Sequence, residues 1–132
     1  MSRLNQRIEN FTKALNIYKE AVAEYQKNKT KILIHMALIQ TFEITFELGW
    51  KVLKDYLAEK DLFVYTPRDV IKEAFAANII PDGQLWIDMA RDRNVSSHEY
   101  NTDKINTVLN TISTNYFNEL CRFEGWTKKI NE

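Results

Sequence analysis

The chain is short of chain breakers, with 3 glycines and 2 prolines among 132 residues. β-Sandwiches and barrels turn often and draw on those residues to do so, which leaves a mostly helical chain as the expectation. Cysteine is nearly absent too. Cys121 stands alone, so no internal disulfide can form, and no Cys/His cluster has zinc-ligand spacing. A lone thiol fits a reducing cytoplasm, the expected location. Neither sign of charge is in surplus: 18 basic residues face 18 acidic ones. Duplex DNA is gripped through a basic stripe, so that partner is not expected, while a small local phosphate site remains open. Long apolar runs are missing as well. The stretch 32–38 is interrupted by His35 and followed by Gln40 and Glu43. It reads as a core helix, with no membrane span expected. Arg3, Asn5, Gln6 and Arg7 make a polar start in which no signal peptide is visible.

Apolar residues are plentiful, at 45%. Disorder is therefore not expected, and the length suits one domain with a real core, spanning 1–132. A first helix is expected over about residues 4–25. Leu4, Ile8, Phe11, Leu15, Tyr18, Val22 and Tyr25 recur in steps of four and three, a coiled-coil-like seam. After the polar turn at 27–30, a second helix is expected over about residues 31–60, roughly 45 Å long at ~1.5 Å per residue. One seam carries Met36, Ile39, Phe46, Trp50, Leu53 and Leu57, and an adjacent one carries Leu38, Phe42, Val52 and Tyr56. Two seams imply burial over a wide arc, with surplus apolar face available to another chain. Gly49 costs about 1 kcal/mol in a helix interior, which close approach of another backbone would explain.

Thr66, Pro67 and Asp69 form an N-cap, a first-turn proline and a dipole-matched acid, opening a third helix. Its expected inner face is Val70, Ile71, Ala74 and Phe75, with Asn78 as the stop. Pro81, Asp82 and Gly83 restart the chain into a fourth helix over about residues 84–94, with Leu85, Trp86 and Met89 inward. The last helix starts near residue 101 or 102, on the stripe Ile105, Leu109, Ile112, Tyr116, Leu120 and Phe123. The expected fold is all-α: an antiparallel up-and-down bundle of three long and two short helices.

The run from Arg93 to Tyr100 concentrates the chemistry. Four residues separate Arg93 from His98, and Asn94, Ser97 and Tyr100 stand around them. Histidine exchanges a proton near neutral pH, and arginine grips phosphate through parallel hydrogen bonds. That pair can cleave RNA without a metal, with His98 as general acid or base and Arg93 stabilising the phosphorane. Asn94 would orient the phosphate, and Tyr100 can stack on a base. The same residues also suit a plain helix corner. A helix C-terminus favours cations, and Ser96 to Glu99 fits a capping box. Elsewhere, Glu43 and Glu47 read as structural: Glu43 buried against an arginine, Glu47 paired with Lys51. His35 reads as a satisfied core or interface residue, and Trp50, Trp86 and Trp126 as packing.

Three ordered segments carry a family resemblance. Phe42-Glu43 through Phe46-Glu47-Leu48, Trp50-Lys51 and Leu53 to Leu57 resembles the second-helix signature of the nucleotidyltransferase substrate-binding protein family. That family lies within the HEPN superfamily, with HepT-type proteins and the C-terminal domain of kanamycin nucleotidyltransferase. The stretch Thr66 to Phe75 resembles its third helix. Asp82-Gly83, Leu85-Trp86 and Asp88-Met89, then Asp92-Arg93-Asn94, Ser97-His98 and Tyr100, resemble its fourth helix and motif. The resemblance spans about residues 4–123 and keeps every motif position.

It implies a homodimer and a partner, a small nucleotidyltransferase encoded nearby that would hold the nucleotide and magnesium. No cofactor and no metal is implied for this chain. HepT-type relatives act as ribonuclease toxins through Arg-x4-6-His, and some partners add AMP to the motif tyrosine. Carried over by position, Arg93 and His98 would be catalytic, Asn94 and Ser97 supporting, and Tyr100 the acceptor of modification. The alternative is a non-catalytic adaptor in which the same residues bind RNA or a nucleotide without cutting it. The balanced charge, outside the family pattern, gives little general affinity for RNA.

Overall fold

The computed structural model describes residues 2–94 and 103–131. Helix α1 spans Arg3–Lys27, α2 Ile32–Glu59, α3 Pro67–Ala76 and α4 Gly83–Asp92. The last rod begins as α5, Asp103–Thr111, widens into a π turn at Ile112–Tyr116 and continues as α6, Phe117–Ile130. Three long rods and two short helices are therefore present, and no strand occurs among the described residues.

Each start has a visible local cause. The Ser2 hydroxyl accepts from the Asn5 amide at 3.1 Å, Thr66 from Asp69 at 3.2 Å, and Asp82 from Leu85 at 3.0 Å. All three satisfy donors that a helix leaves open at its N-terminus. Between α1 and α2 the Asn28 side chain accepts from the Thr30 amide and hydroxyl, closing the polar turn. Asn78, expected as a stop, adopts φ 60°, a left-handed geometry that asparagine tolerates.

The antiparallel pair α1–α2 makes the largest helix contact. Its α1 seam is buried throughout, from Leu4 to Tyr25. From α2, Leu38, Phe42, Phe46, Val52 and Leu53 are fully buried. The α5–α6 rod supplies Leu109, Ile112, Leu120 and Phe123 to the same core. By length and composition α2 could cross a membrane, with a mean hydropathy of 1.3 over its most apolar window. Of that window 39% is buried in the bundle, while Ile32, Leu33, Met36 and Ile44 of α2 are exposed.

The short helices close one flank. Trp86 of α4 is fully buried, and its indole donates to Glu119 of α6 at 2.8 Å. Arg122 grips the same carboxylate with two bonds, at 2.8 and 2.7 Å. Three donors on one buried carboxylate replace the water it lost. Arg7 reaches Asp55 at 2.9 Å and ties α1 to the far half of α2.

The π turn allows two consecutive residues of one rod to face inward. Tyr116 stacks on Phe42 at 5.2 Å, and Phe117 meets Tyr18 edge-on at 5.2 Å. The Tyr18 hydroxyl donates to the Ile112 carbonyl inside the turn.

Several side chains depart from the expected faces. Phe75 is 51% exposed and Met36 46% exposed. Both lie at the edge of their stripe; Phe75 sits beside Gly83 at the start of α4 with the rest of its ring open. Gly49 meets the Phe11 ring rather than a backbone: an added Cβ would stand 3.3 Å from Phe11 Cε1 and 3.8 Å from Leu120.

Candidate functional site

The fourth helix ends where the chemistry was expected. Arg93 is the C-cap of α4, and its amide donates to the Met89 carbonyl at 2.9 Å. A cation there meets the negative end of the helix dipole. The side chain turns back toward α2 and is 25% exposed. Its guanidinium carbon lies 5.8 Å from the centroid of the Phe46 ring. Its Nη1 stands 2.8 Å from Oε1 of Glu47. The N–H directions miss that oxygen, so the contact is ionic, and the buried Nη1 makes no hydrogen bond among the described residues. Asn94 follows, exposed at the helix end.

Glu47 is itself held. Its Oε2 accepts from the Trp50 indole at 3.0 Å, a contact the three-residue helical spacing makes local. The expected pairings thus exchange places. Glu47 faces Arg93 rather than Lys51, because α4 brings a guanidinium against this side of α2. Glu43, expected to meet an arginine, makes no ion pair among the described residues, and burial raises its carboxyl above the usual range.

The residue before Arg93 is clamped from the other side. Asp92 accepts from the Tyr116 hydroxyl at 2.5 Å and from Arg91 Nε at 3.0 Å. Burial, then the bond to Asp92, pushes the Tyr116 phenol far above its ordinary value, so it stays a donor at neutral pH. The end of α4 is therefore fixed twice: Asp92 to the π turn, Arg93 to α2.

Ser97, His98 and Tyr100 lie outside the described residues, as do Ser96 and Glu99 of the capping box. Of the sequence-derived set, Arg93 and Asn94 stand together at the end of α4. Sequence reasoning missed Glu47 as the partner of Arg93, and Asp92 with Tyr116. The Glu47–Trp50 spacing was a signal available in the sequence; Asp92 and Tyr116, 24 positions apart, leave none. Among the described residues no group of three His, Cys, Asp or Glu side chains could hold a metal. His35 has a structural setting, with Nε2 donating to the Lys29 carbonyl at 2.6 Å and the ring edge-on to Tyr25.

What this arrangement can do is limited and specific. A guanidinium held over a ring, with Nη1 buried on a carboxylate and Nε and Nη2 remaining, can take a phosphate oxygen.

Comparison with known proteins agrees in kind. A family model described as nucleotidyltransferase substrate binding protein like matches residues 6–129. A Haemophilus influenzae protein named probable ribonuclease HepT is 32% identical over 75 residues, which is 53% of this chain and 51% of that protein. The chain thus matches about half the length of that curated relative. Among solved structures, a tri-AMPylated HEPN toxin from Shewanella oneidensis, in complex with MNT antitoxin, superposes with a TM-score of 0.76 at 14% identity. That match covers 98% of this chain and 99% of the toxin. A protein from Thermus thermophilus gives a TM-score of 0.52 at 26% identity, covering 86% of this chain and 95% of that one.

Proposed function

The chain belongs to the nucleotidyltransferase substrate binding protein-like family and has the HEPN fold, and from that premise we propose that it is the helical subunit of a two-component HEPN/nucleotidyltransferase module, with a metal-independent ribonuclease site at Arg93 and His98. The observation that carries this reading is Arg93 itself. It is held at the end of α4 against Phe46 and Glu47, with Nη1 buried on the carboxylate and Nε and Nη2 left as the donors a phosphate can meet. The relatives' names support it, one a probable ribonuclease and one a HEPN toxin in complex with MNT antitoxin.

In the proposed reaction His98 takes the proton of a ribose 2′-hydroxyl. The 2′-oxygen attacks phosphorus, the 5′-oxygen leaves with a proton, and a 2′,3′-cyclic phosphate results. Arg93 stabilises the extra negative charge on the phosphorane. Asn94 and Ser97 orient the phosphate, and Tyr100 stacks on a base or accepts AMP from the partner. One histidine per chain suits a homodimer in which a second His98 protonates the leaving oxygen. The exposed Ile17, Leu33, Met36 and Ile44 on α1 and α2 offer apolar surface for such contacts. The chain needs no cofactor; nucleotide and magnesium belong to the nucleotidyltransferase. The module works in the cytoplasm, with neither a membrane nor duplex DNA as partner.

The test uses the purified chain, free of partner, on diverse RNAs in EDTA. Cleavage is expected, falling at least about 100-fold in Arg93→Ala and His98→Ala. Intact RNA with the wild-type chain would overturn the ribonuclease reading. A second reading, a non-catalytic substrate-binding adaptor, is favoured by the family's own description. It predicts a stable complex with the nucleotidyltransferase and nucleotide binding weakened by Arg93→Ala, with no RNA cut.

A further inference from the structure

We propose that Glu47 is the positioning residue of the Arg93 site: a resident anion, set by Trp50, that fixes where the guanidinium stands and leaves its donors for the substrate phosphate. The inference rests on the ribonuclease reading of that site and adds to it a residue on a different helix.

The two carboxylate oxygens divide the work. Oε2 accepts from the Trp50 indole at 3.0 Å, and Oε1 stands 2.8 Å from Arg93 Nη1. Trp50 is buried and lies three residues on along the same helix, so the Glu47 rotamer is set by a contact within α2. The carboxylate on one side and the Phe46 ring on another then confine the guanidinium.

The geometry also tells positioning from neutralisation. A carboxylate meant to silence an arginine takes it in a two-bonded fork, as Glu119 takes Arg122 with bonds of 2.8 and 2.7 Å. Glu47 does not: it meets a single nitrogen, Nη1, in a close ion pair at 2.8 Å, and that nitrogen is buried. The same molecule thus holds two arginine–glutamate pairs of opposite design. Arg122 is gripped along its Nε–Nη2 edge, while Glu47 meets Arg93 at Nη1 alone, which leaves the Nε–Nη2 edge of Arg93 for a substrate. A phosphate can supply aligned acceptors without first breaking a fork.

The charges around this pair fit that reading. Glu43 lies one turn earlier on α2 and has its carboxyl raised by burial. Asp92 is engaged by Tyr116 and Arg91, so it does not compete for Arg93.

The experiment reads kcat, KM and one tryptophan. Glu47→Ala is expected to lower kcat for RNA about 10- to 100-fold, the scale of a misplaced reacting group, with KM within about threefold. Glu47→Gln is expected to fall as far. Its carbonyl keeps the indole bond, which turns the amide N–H2 toward the guanidinium. The double variant Arg93→Ala/Glu47→Ala should be no slower than Arg93→Ala alone, because the two act as one unit. Pyrophosphate should shift the Trp50 indole N–H signal in wild type and leave it unmoved in Arg93→Ala. Wild-type kcat in folded Glu47→Ala, additive losses in the double variant, or a Trp50 signal indifferent to pyrophosphate would each overturn the proposal. If wild type cuts no RNA but the Trp50 signal responds through Arg93, the ribonuclease reading falls and the Glu47–Arg93 arrangement stands.

Discussion

Glu43 and Glu47 stand four residues apart on one helix and meet different fates. Glu47 has an indole donor and a guanidinium. Glu43 is partly buried with no ion pair among the described residues, and burial raises its carboxyl. A raised carboxyl favours the protonated form in the fold. Its contribution to stability is full below the unfolded value of about 4.3 and is lost as pH climbs through the folded one. At pH 7 the charged Glu43 therefore works against folding. Glu43→Gln should raise the thermal midpoint at pH 7, with the gain shrinking toward pH 4; scanning calorimetry at both pH values checks this. An unchanged midpoint at pH 7 would mean that water still reaches the carboxylate. At this scale the sequence was only partly legible. Arg93 was singled out from its spacing to His98, but its partners come from other helices and only the packing brings them to it.

Helix by helix, the sequence was far more legible. Thr66, read as an N-cap, accepts the bond expected of it; Ser2 and Asp82, not read as caps, do the same. The Leu4-to-Tyr25 seam is buried as its period demanded. What periodicity missed was the π turn, because a single extra residue leaves a buried stripe nearly in phase. It also misjudged Phe75 and Met36, since a stripe's period fixes direction and not how far a neighbour extends. The π turn matters to the site through Tyr116, whose hydroxyl holds Asp92 beside Arg93. Tyr116→Phe keeps the ring stacked on Phe42 and deletes only that bond. It should destabilise the protein by about 1.5–3 kcal/mol, the range for hydrogen bonds to charged groups, in urea unfolding. Hydrogen exchange should quicken at the Arg93 amide more than at amides in the middle of α4. Uniform exchange along α4 would show that the clasp does not hold its end.

At the scale of the whole molecule, the core carries several groups that must stay protonated. Burial pushes Tyr18 well above its ordinary value of 10.0, and the nearby Cys121 and Tyr116 push it further. Burial likewise raises Cys121 above 9.0 and Tyr116 above 10.0. All three shifts run upward, so the native state holds these protons more tightly than the unfolded chain does. The stability they confer is complete below about pH 8 and drains away as pH rises past the unfolded values, the thiol's first and the phenols' next. The urea midpoint should therefore fall steeply between pH 9 and pH 11, measured by circular dichroism. Tyr116→Phe should flatten part of that fall, since phenylalanine has no proton to lose.

The widened turn in the last rod also bears on how the chain tolerates changes of length. An i→i+5 turn carries one residue more than an ordinary helical turn. Deleting exposed Asn115 would let it close into a plain α-helix while the segments on either side keep their facing. Deleting exposed Asn118, already inside α6, has no such slack. It would rotate everything beyond by about 100°, carrying Leu120 and Phe123 away from the core. Along this rod, then, 112–116 is where evolution or an engineer can shorten the protein by one residue, and the toll would fall on the Tyr116–Asp92 clasp rather than on the bundle.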